Sequence, residues 1–328
     1  MIIVTGGAGF IGSALVWCLN EQGIQDILIA DHLGHGGKWL NINKRSFSRL
    51  LHKSALLPWL EAGADGEKID AVFHLGASSS TTETDVDYLI DNNLNYSVRL
   101  WRYCTKHQVP FIYASSAATY GGGAQGFDDA LSAVANLRPL NPYGFSKQKF
   151  DHWAMNQAEA PPFWAGLKFF NVYGPQEYHK GSQSSVVCQV VPQVQSTGAI
   201  RLFKSYRRDY VDGGQLRDFV YVKDCVEVMA HFYKHWSHVQ SGLYNIGSGQ
   251  ARSFADVALG VFAAMDISPP QIEYIEMPAA IRDQYQYFTE ASLNRLREKG
   301  GYQLPMTALE AGIHDYVRTY LLAEDRYL

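Results

Sequence analysis

Short apolar runs alternate with longer amphipathic stretches through the first half of the chain. Ile2–Thr5, Asp26–Ala30, Ala71–Leu75, Pro110–Ser115 and Phe163–Phe169 are rich in β-branched and aromatic residues and too short for helices, so they read as buried strands. Between them, Ile11–Gln22, Leu89–His107 and Asn141–Gln157 repeat their apolar positions every three or four residues and read as helices. Strands alternating with helices predict right-handed crossovers and a doubly wound α/β fold, its parallel sheet covered on both faces. Beyond about residue 172 the rhythm loosens. Polar, glycine-containing segments (Gly174–Ser185 and Ser205–Gln215) separate helices expected near Ser184–Gln195, Val222–His235, Phe254–Met265 and Ala308–Leu321. The pattern therefore divides into a dinucleotide-binding Rossmann unit over 1–171 and a smaller, mainly substrate-binding α/β lobe over 172–328, with some segments of the latter returning to the first unit.

Composition narrows the class. With 47% hydrophobic and 18% charged residues in 328, the chain can fold around a large core and is not disordered. A net charge of -4 offers no basic field for a nucleic acid. Cys18, Cys104, Cys188 and Cys225 lie far apart without metal-ligand spacing, so no metal is expected and a reducing compartment fits. The apolar start, MIIVTGGAGFIG, is broken by glycine after five residues and is not expected to be a signal or a membrane span. A cytoplasmic enzyme without a membrane partner is the expectation.

The candidate chemistry begins in that same segment. Gly6, Gly9 and Gly12 follow a strand and open a helix, which is the context a dinucleotide loop needs. The first permits a tight turn, the second close approach to a pyrophosphate, the third close packing, while the helix N-terminus offers free N–H groups. Asp31 ends the second strand nineteen residues after Gly12, where a carboxylate bonds the adenosine ribose and favours NAD. Lys38 and Lys53 follow and are suited to a 2′-phosphate, so the residues alone leave NAD and NADP open. Further on, Ser116 closes a strand, and Tyr143 and Lys147 stand four apart on one helix face. A lysine ammonium beside a phenol is expected to lower the tyrosine pKa, making it a base for an alcohol that gives its hydride to a nicotinamide.

With these motifs in place the chain resembles the extended short-chain dehydrogenase/reductases, and among them the ADP-heptose 6-epimerases. The resemblance runs over nearly the whole length, through MIIVTGGAGFIGS, Ser79–Glu83 (SSTTE), Asp91-Asn92-Asn93, Tyr113–Gly122, Tyr143–Lys147, Phe170–Pro175, His179–Ser182 (HKGS) and Arg217–Tyr221. It implies that Tyr143 and Lys180 are the acid/base pair, with Ser116 and Lys147 completing the catalytic set and Lys147 also touching the cofactor. It implies a dinucleotide lined by Phe10, Ile11, Asp31, His32, Lys38, Lys53, Leu75, Gly76, Ala77, Ser78, Ser79, Asn92 and Val172, tilted towards NADP by Lys38 and Lys53. The substrate, an ADP-heptose, would meet Asn171, Ser182, Gln189, Phe203, Arg217 and Tyr285, in a homo-oligomer that the resemblance makes a pentamer. Two positions depart from the family pattern: Leu75 replaces an expected glutamate and Gln189 an expected histidine. The 203–217 loop is also long, with Lys204, Arg207 and Arg208 open to either phosphate or solvent. Inversion at an unactivated carbinol carbon needs transient oxidation to a ketone, and Lys180 would supply the second proton-transfer group. Ala117-Ala118 after Ser116 lack the acidic pair expected of a dehydratase. Another nucleotide-sugar epimerase, or a non-catalytic dinucleotide-binding regulator, are the alternatives.

Overall fold

The computed structural model describes residues 1–282 and 285–328. Its strands are β1 (Ile2–Thr5), β2 (Ile27–Asp31), β3 (Arg49–His52), β4 (Ala71–His74), β5 (Phe111–Ser116), β6 (Trp164–Phe169), β7 (Asn171–Tyr173), β8 (Ile200–Phe203), β9 (Leu216–Tyr221), β10 (Gly242–Ile246), β11 (Ala251–Ser253) and β12 (Ile272–Ile275). Seven of them form one parallel sheet in the order β10-β6-β5-β4-β1-β2-β3. The α/β class and the doubly wound parallel sheet are thus as expected. Strand order reverses at β1, so the carboxyl ends of β1 and β4 flank a crevice where such sheets take ligands. Alternating side chains feed two cores: Ile2, Val4 and Ile29 point into one, Ile3, Leu28 and Val72 into the other.

Two strands of this sheet were not visible in the sequence pattern. Arg49–His52 lies on the sheet edge and alternates half-buried with exposed positions, so it has no apolar run to announce it. Gly242–Ile246 is fully buried but carries Asn245, whose amide N–H donates to Asp129 and whose carboxamide donates to the Phe127 and Ser292 carbonyls. It pairs with Ala165–Phe169 and extends the sheet with a segment from the second half of the chain.

The helices bearing on the site are α1 (Phe10–Glu21), α2 (Lys53–Glu61), α3 (Val86–Leu89), α4 (Tyr96–His107), α5 (Pro142–Met155), α6 (Val186–Thr197), α7 (Val222–His235) and α8 (Phe254–Ala264). The continuous helix expected over Leu89–His107 is corrected. It starts earlier, where the Asp85 carboxylate accepts the Tyr88 N–H at 2.9 Å, and Ile90–Asn95 is a π-helical turn ahead of α4. Such a turn bulges one residue outward and often sits at a functional site; here it presents Asn92 and Asn93. The C-terminal helix likewise runs Leu309–Asp315 and then passes into a π turn over Tyr316–Leu321. Two small sheets, β11-β9-β7 and β12-β8, lie outside the large one. No helix among the described residues is long and apolar enough to cross a membrane.

Candidate active site

The first turn of α1 is built for an anion. Gly9 caps it without a side-chain bond and no acidic residue lies in the turn, so neither a cap nor a carboxylate competes there. Gly6 adopts φ +68°, and a Cβ there would lie 2.6 Å from the Gly76 nitrogen. A Cβ on Gly12 would lie 2.1 Å from the Gly6 carbonyl oxygen, so the loop closes against the helix only with glycine at that position. These contacts make a bare-backbone cradle that suits a pyrophosphate.

This cradle opens into a cavity of about 1270 Å³ at the carboxyl ends of β1, β4 and β5. Of the residues expected at the cofactor, Gly6, Gly9, Phe10, Ile11, Gly12, Asp31, His32, Lys38, Lys53, Leu75, Gly76, Ala77, Ser79, Asn92 and Val172 line it. Ser116, Tyr143, Lys147 and Lys180 stand on the same wall system, as do Asn171, Ser182, Gln189, Arg217 and Tyr285. Ser78 and Phe203 do not line it. Ser78 faces the π turn, where its N–H donates to Asn93 Oδ1 at 2.9 Å and its carbonyl accepts Asn93 Nδ2 at 3.0 Å. Phe203 ends β8, and its carbonyl accepts the Gly213 N–H at 3.1 Å.

The charges are locally paired. Asp31 accepts the Ala8 N–H at 2.8 Å with one oxygen and meets Lys38 Nζ at 2.5 Å with the other. Lys53 Nζ donates to Asn92 Oδ1 at 2.8 Å. Lys204 pairs with Glu276 and Arg207 with Asp209, both in solvent, and neither base lines the cavity. At the two positions departing from the family pattern, Leu75 packs against the core and Gln189 donates to the Ser182 and Ser184 carbonyls at 3.1 and 2.6 Å.

Tyr143 and Lys147 ride on α5, whose start is fixed by Asn141 accepting the Gly144 N–H and by Pro142 in the first turn. Burial draws Lys147 down to about 8, partly offset by the Asp151 carboxylate. Its Nζ donates to the Ala114 carbonyl at 2.9 Å. The expected lowering of the Tyr143 pKa by Lys147 is not found. Burial raises the phenol, the Ser116 hydrogen bond pulls it down, and the Asp151 charge adds to the rise. Lys180 is also drawn down by burial against the opposing pull of Glu177, and its ammonium lies 5.2 Å from the Phe10 ring centroid.

Several residues that brace this site from behind its lining gave no sequence signal. Asn41 Nδ2 reaches the Ala8 carbonyl and the Gln176 carbonyl, each at 3.0 Å, and lies 3.1 Å from His179 Nδ1, tying the glycine loop to the Lys180 segment. Glu177 is buried and accepts from the Ser185 hydroxyl at 2.6 Å and the Gly174 N–H at 3.3 Å. His74, in the apolar run of β4, lies between the Thr5 hydroxyl at 2.6 Å and the Ser97 hydroxyl at 2.8 Å. Burial and the Lys147 charge hold it down at about 3, so it is neutral. Among the described residues no group of three His, Cys, Asp or Glu is placed to hold a metal ion.

The model of the NAD dependent epimerase/dehydratase family matches residues 2–247. The chain belongs to that family. Members of the epimerase/dehydratase family work with a nicotinamide dinucleotide, and the glycine cradle of this member suits one. The chain is 51% identical over 335 residues to an ADP-L-glycero-D-manno-heptose-6-epimerase of Fusobacterium nucleatum, covering 100% of both chains. It is 49% identical over 332 residues to the enzyme of that name from Nitratidesulfovibrio vulgaris, again covering 100% of both. The crystal structure of the Helicobacter pylori ADP-L-glycero-D-manno-heptose-6-epimerase is similar at a TM-score of 0.79 and 27% identity, covering 97% of this chain and 95% of that one.

Proposed function

We propose that this chain is an epimerase that inverts C6 of the heptose in ADP-D-glycero-D-manno-heptose, giving the L-glycero epimer. The observation that carries the reading is the convergence of Ser116, Tyr143, Lys147 and Lys180 on one cavity with the dinucleotide cradle, in a chain alike over its full length to relatives bearing that name. A bound nicotinamide supplies the acceptor and donor of hydride. Ser116 holds the sugar hydroxyl, and Tyr143 removes its proton as the hydride leaves for the nicotinamide. Burial raises the resting phenol and the Ser116 hydrogen bond opposes that rise, while Lys147, one helical turn away, completes the set at the alcohol. Lys180, less basic than an exposed lysine, gives a proton to the carbonyl oxygen as the hydride returns to the opposite face of the carbon. Asn171, Ser182, Gln189, Arg217 and Tyr285 form the wall for the ADP-sugar. NADP is the preferred cofactor in this reading, with Lys38 and Lys53 meeting the 2′-phosphate. The residues after 172 act mainly as the substrate lobe.

Incubation with a panel of nucleotide sugars, followed by NMR, tests the reaction. Inversion at the heptose C6 of the ADP-linked sugar supports it, and turnover confined to a 4-epimerisation would replace it. Tighter binding of NADP than NAD, lost in Lys53→Ala, tests the cofactor. Unchanged turnover in Lys180→Ala would remove the two-base mechanism.

A further inference from the structure

Beneath the redox residues lies the most deeply buried ion pair among the described residues, and the proton transfers above do not use it. Lys168 Nζ and Asp151 Oδ2 are 2.7 Å apart with both side chains 0% exposed. Lys168, on β6, donates a second bond to the Thr119 hydroxyl at 2.8 Å. Asp151 also accepts from the Tyr113 hydroxyl at 2.9 Å and the Ser115 hydroxyl at 2.7 Å. Those two residues flank Ala114, whose carbonyl receives Lys147. A buried pair of this kind rarely stabilises a fold more than well-packed apolar residues would. Its position therefore asks for another reason.

Tyr143, Lys147 and Asp151 follow one another at intervals of four on α5, so one helix face carries phenol, ammonium and carboxylate in turn. We infer that Asp151 is a positioning residue of the redox set, whose carboxylate keeps the buried Lys147 side chain charged and, through Tyr113 and Ser115, fixes the β5 segment that receives it. Lys168 meets the carboxylate as its counter-charge in a water-free place. The inference rests on Lys147 serving the alcohol chemistry proposed above. The groups around Lys147 leave Asp151 as the source of the needed negative charge. Its own helix offers Tyr143 and Asp151, β4 offers the neutral His74, and behind Asp151 stand Tyr113 of β5 and Lys168 of β6. Tyr113 is pushed far up by burial and by the same carboxylate, so it stays a neutral donor.

The test reads Lys147 directly. In the full-length protein carrying 13C at lysine Cε, the resonances are followed against pH, and Lys147 is assigned by its disappearance in Lys147→Arg. The wild-type midpoint is expected at about 8. Asp151→Asn alone leaves Lys168 unpaired and endangers folding, so the deciding variant is Asp151→Asn/Lys168→Met, neutral in sum and close in volume. There the Lys147 midpoint is expected to fall by about one pH unit or more. The alkaline limb of epimerisation should move down with it, and Asp151→Glu should bring both back. A folded double variant whose Lys147 midpoint is unchanged overturns the inference. Failure of the functional reading has a different signature: wild type that epimerises no sugar nucleotide, although the Lys147 midpoint still moves in the double variant.

Discussion

At the scale of single residues, the site combines a phenol raised by burial with a lysine drawn down to about 8. Removing only the phenolic oxygen tests which group moves the proton. Tyr143→Phe is expected to reduce turnover by about 10²–10⁴-fold, the usual range for a lost acid/base group. Dinucleotide affinity, measured by titration calorimetry, should stay near wild type, because the cradle is backbone. Near-normal turnover would assign the base elsewhere. His74 makes a prediction about stability. It is held at about 3 in the folded chain, against about 6.5 when unfolded. Between those values the unfolded state binds the extra proton, so stability is lost as pH falls below about 6.5. By pH 5 that loss amounts to roughly 2 kcal/mol from this group. Urea denaturation of wild type and His74→Asn at pH 7 and pH 5 should show a smaller acid loss in the variant. Equal losses would show that His74 carries a proton in the native state.

At the scale of elements, the glycine loop and α1 act as one piece. Gly12→Ala would set a methyl group 2.1 Å from the Gly6 carbonyl. Relieving such a clash costs about 1–3 kcal/mol, so dinucleotide binding should weaken by about tenfold or more. A variant binding as wild type would show that the turn relaxes freely. These elements were also the legible ones. Apolar runs such as Ile2–Thr5 and Phe163–Phe169 announce buried parallel strands, and Gly6, Gly9, Gly12, Tyr143 and Lys147 sit at spacings fixed by the helix and the turn. What the pattern could not show is equally physical. The edge strand Arg49–His52 has only half-buried positions, and the π turn at Ile90–Asn95 keeps the composition of a helix while shifting its register. Asn41, Glu177 and Asp151 matter through partners far along the chain, and nothing in local spacing marks a buried polar residue whose donor lies elsewhere.

At the scale of the whole molecule, the large sheet is not complete until β10 is made. That strand covers the β6 edge, and Asn245 ties it to Asp129, Phe127 and Ser292. A chain ending at Gln240 would leave β6 as a bare apolar edge, the kind that aggregates. Such a fragment is expected to be insoluble, and a soluble, dinucleotide-binding one would prove the first 240 residues self-sufficient. The two small sheets stand in a different relation to the rest. Ser116, Tyr143 and Lys147 are carried by β5 and α5 against the large sheet, whereas Arg217 belongs to β9, and Tyr285 stacks on it with its ring centroid 5.1 Å from the guanidinium. On the function proposed above, the large sheet carries most of the redox set, while Lys180 reaches it from the segment after β7, beside the substrate wall. If that reading holds, retargeting this scaffold to another sugar nucleotide means recasting wall positions such as Arg217 and Tyr285 while leaving β5 and α5 untouched.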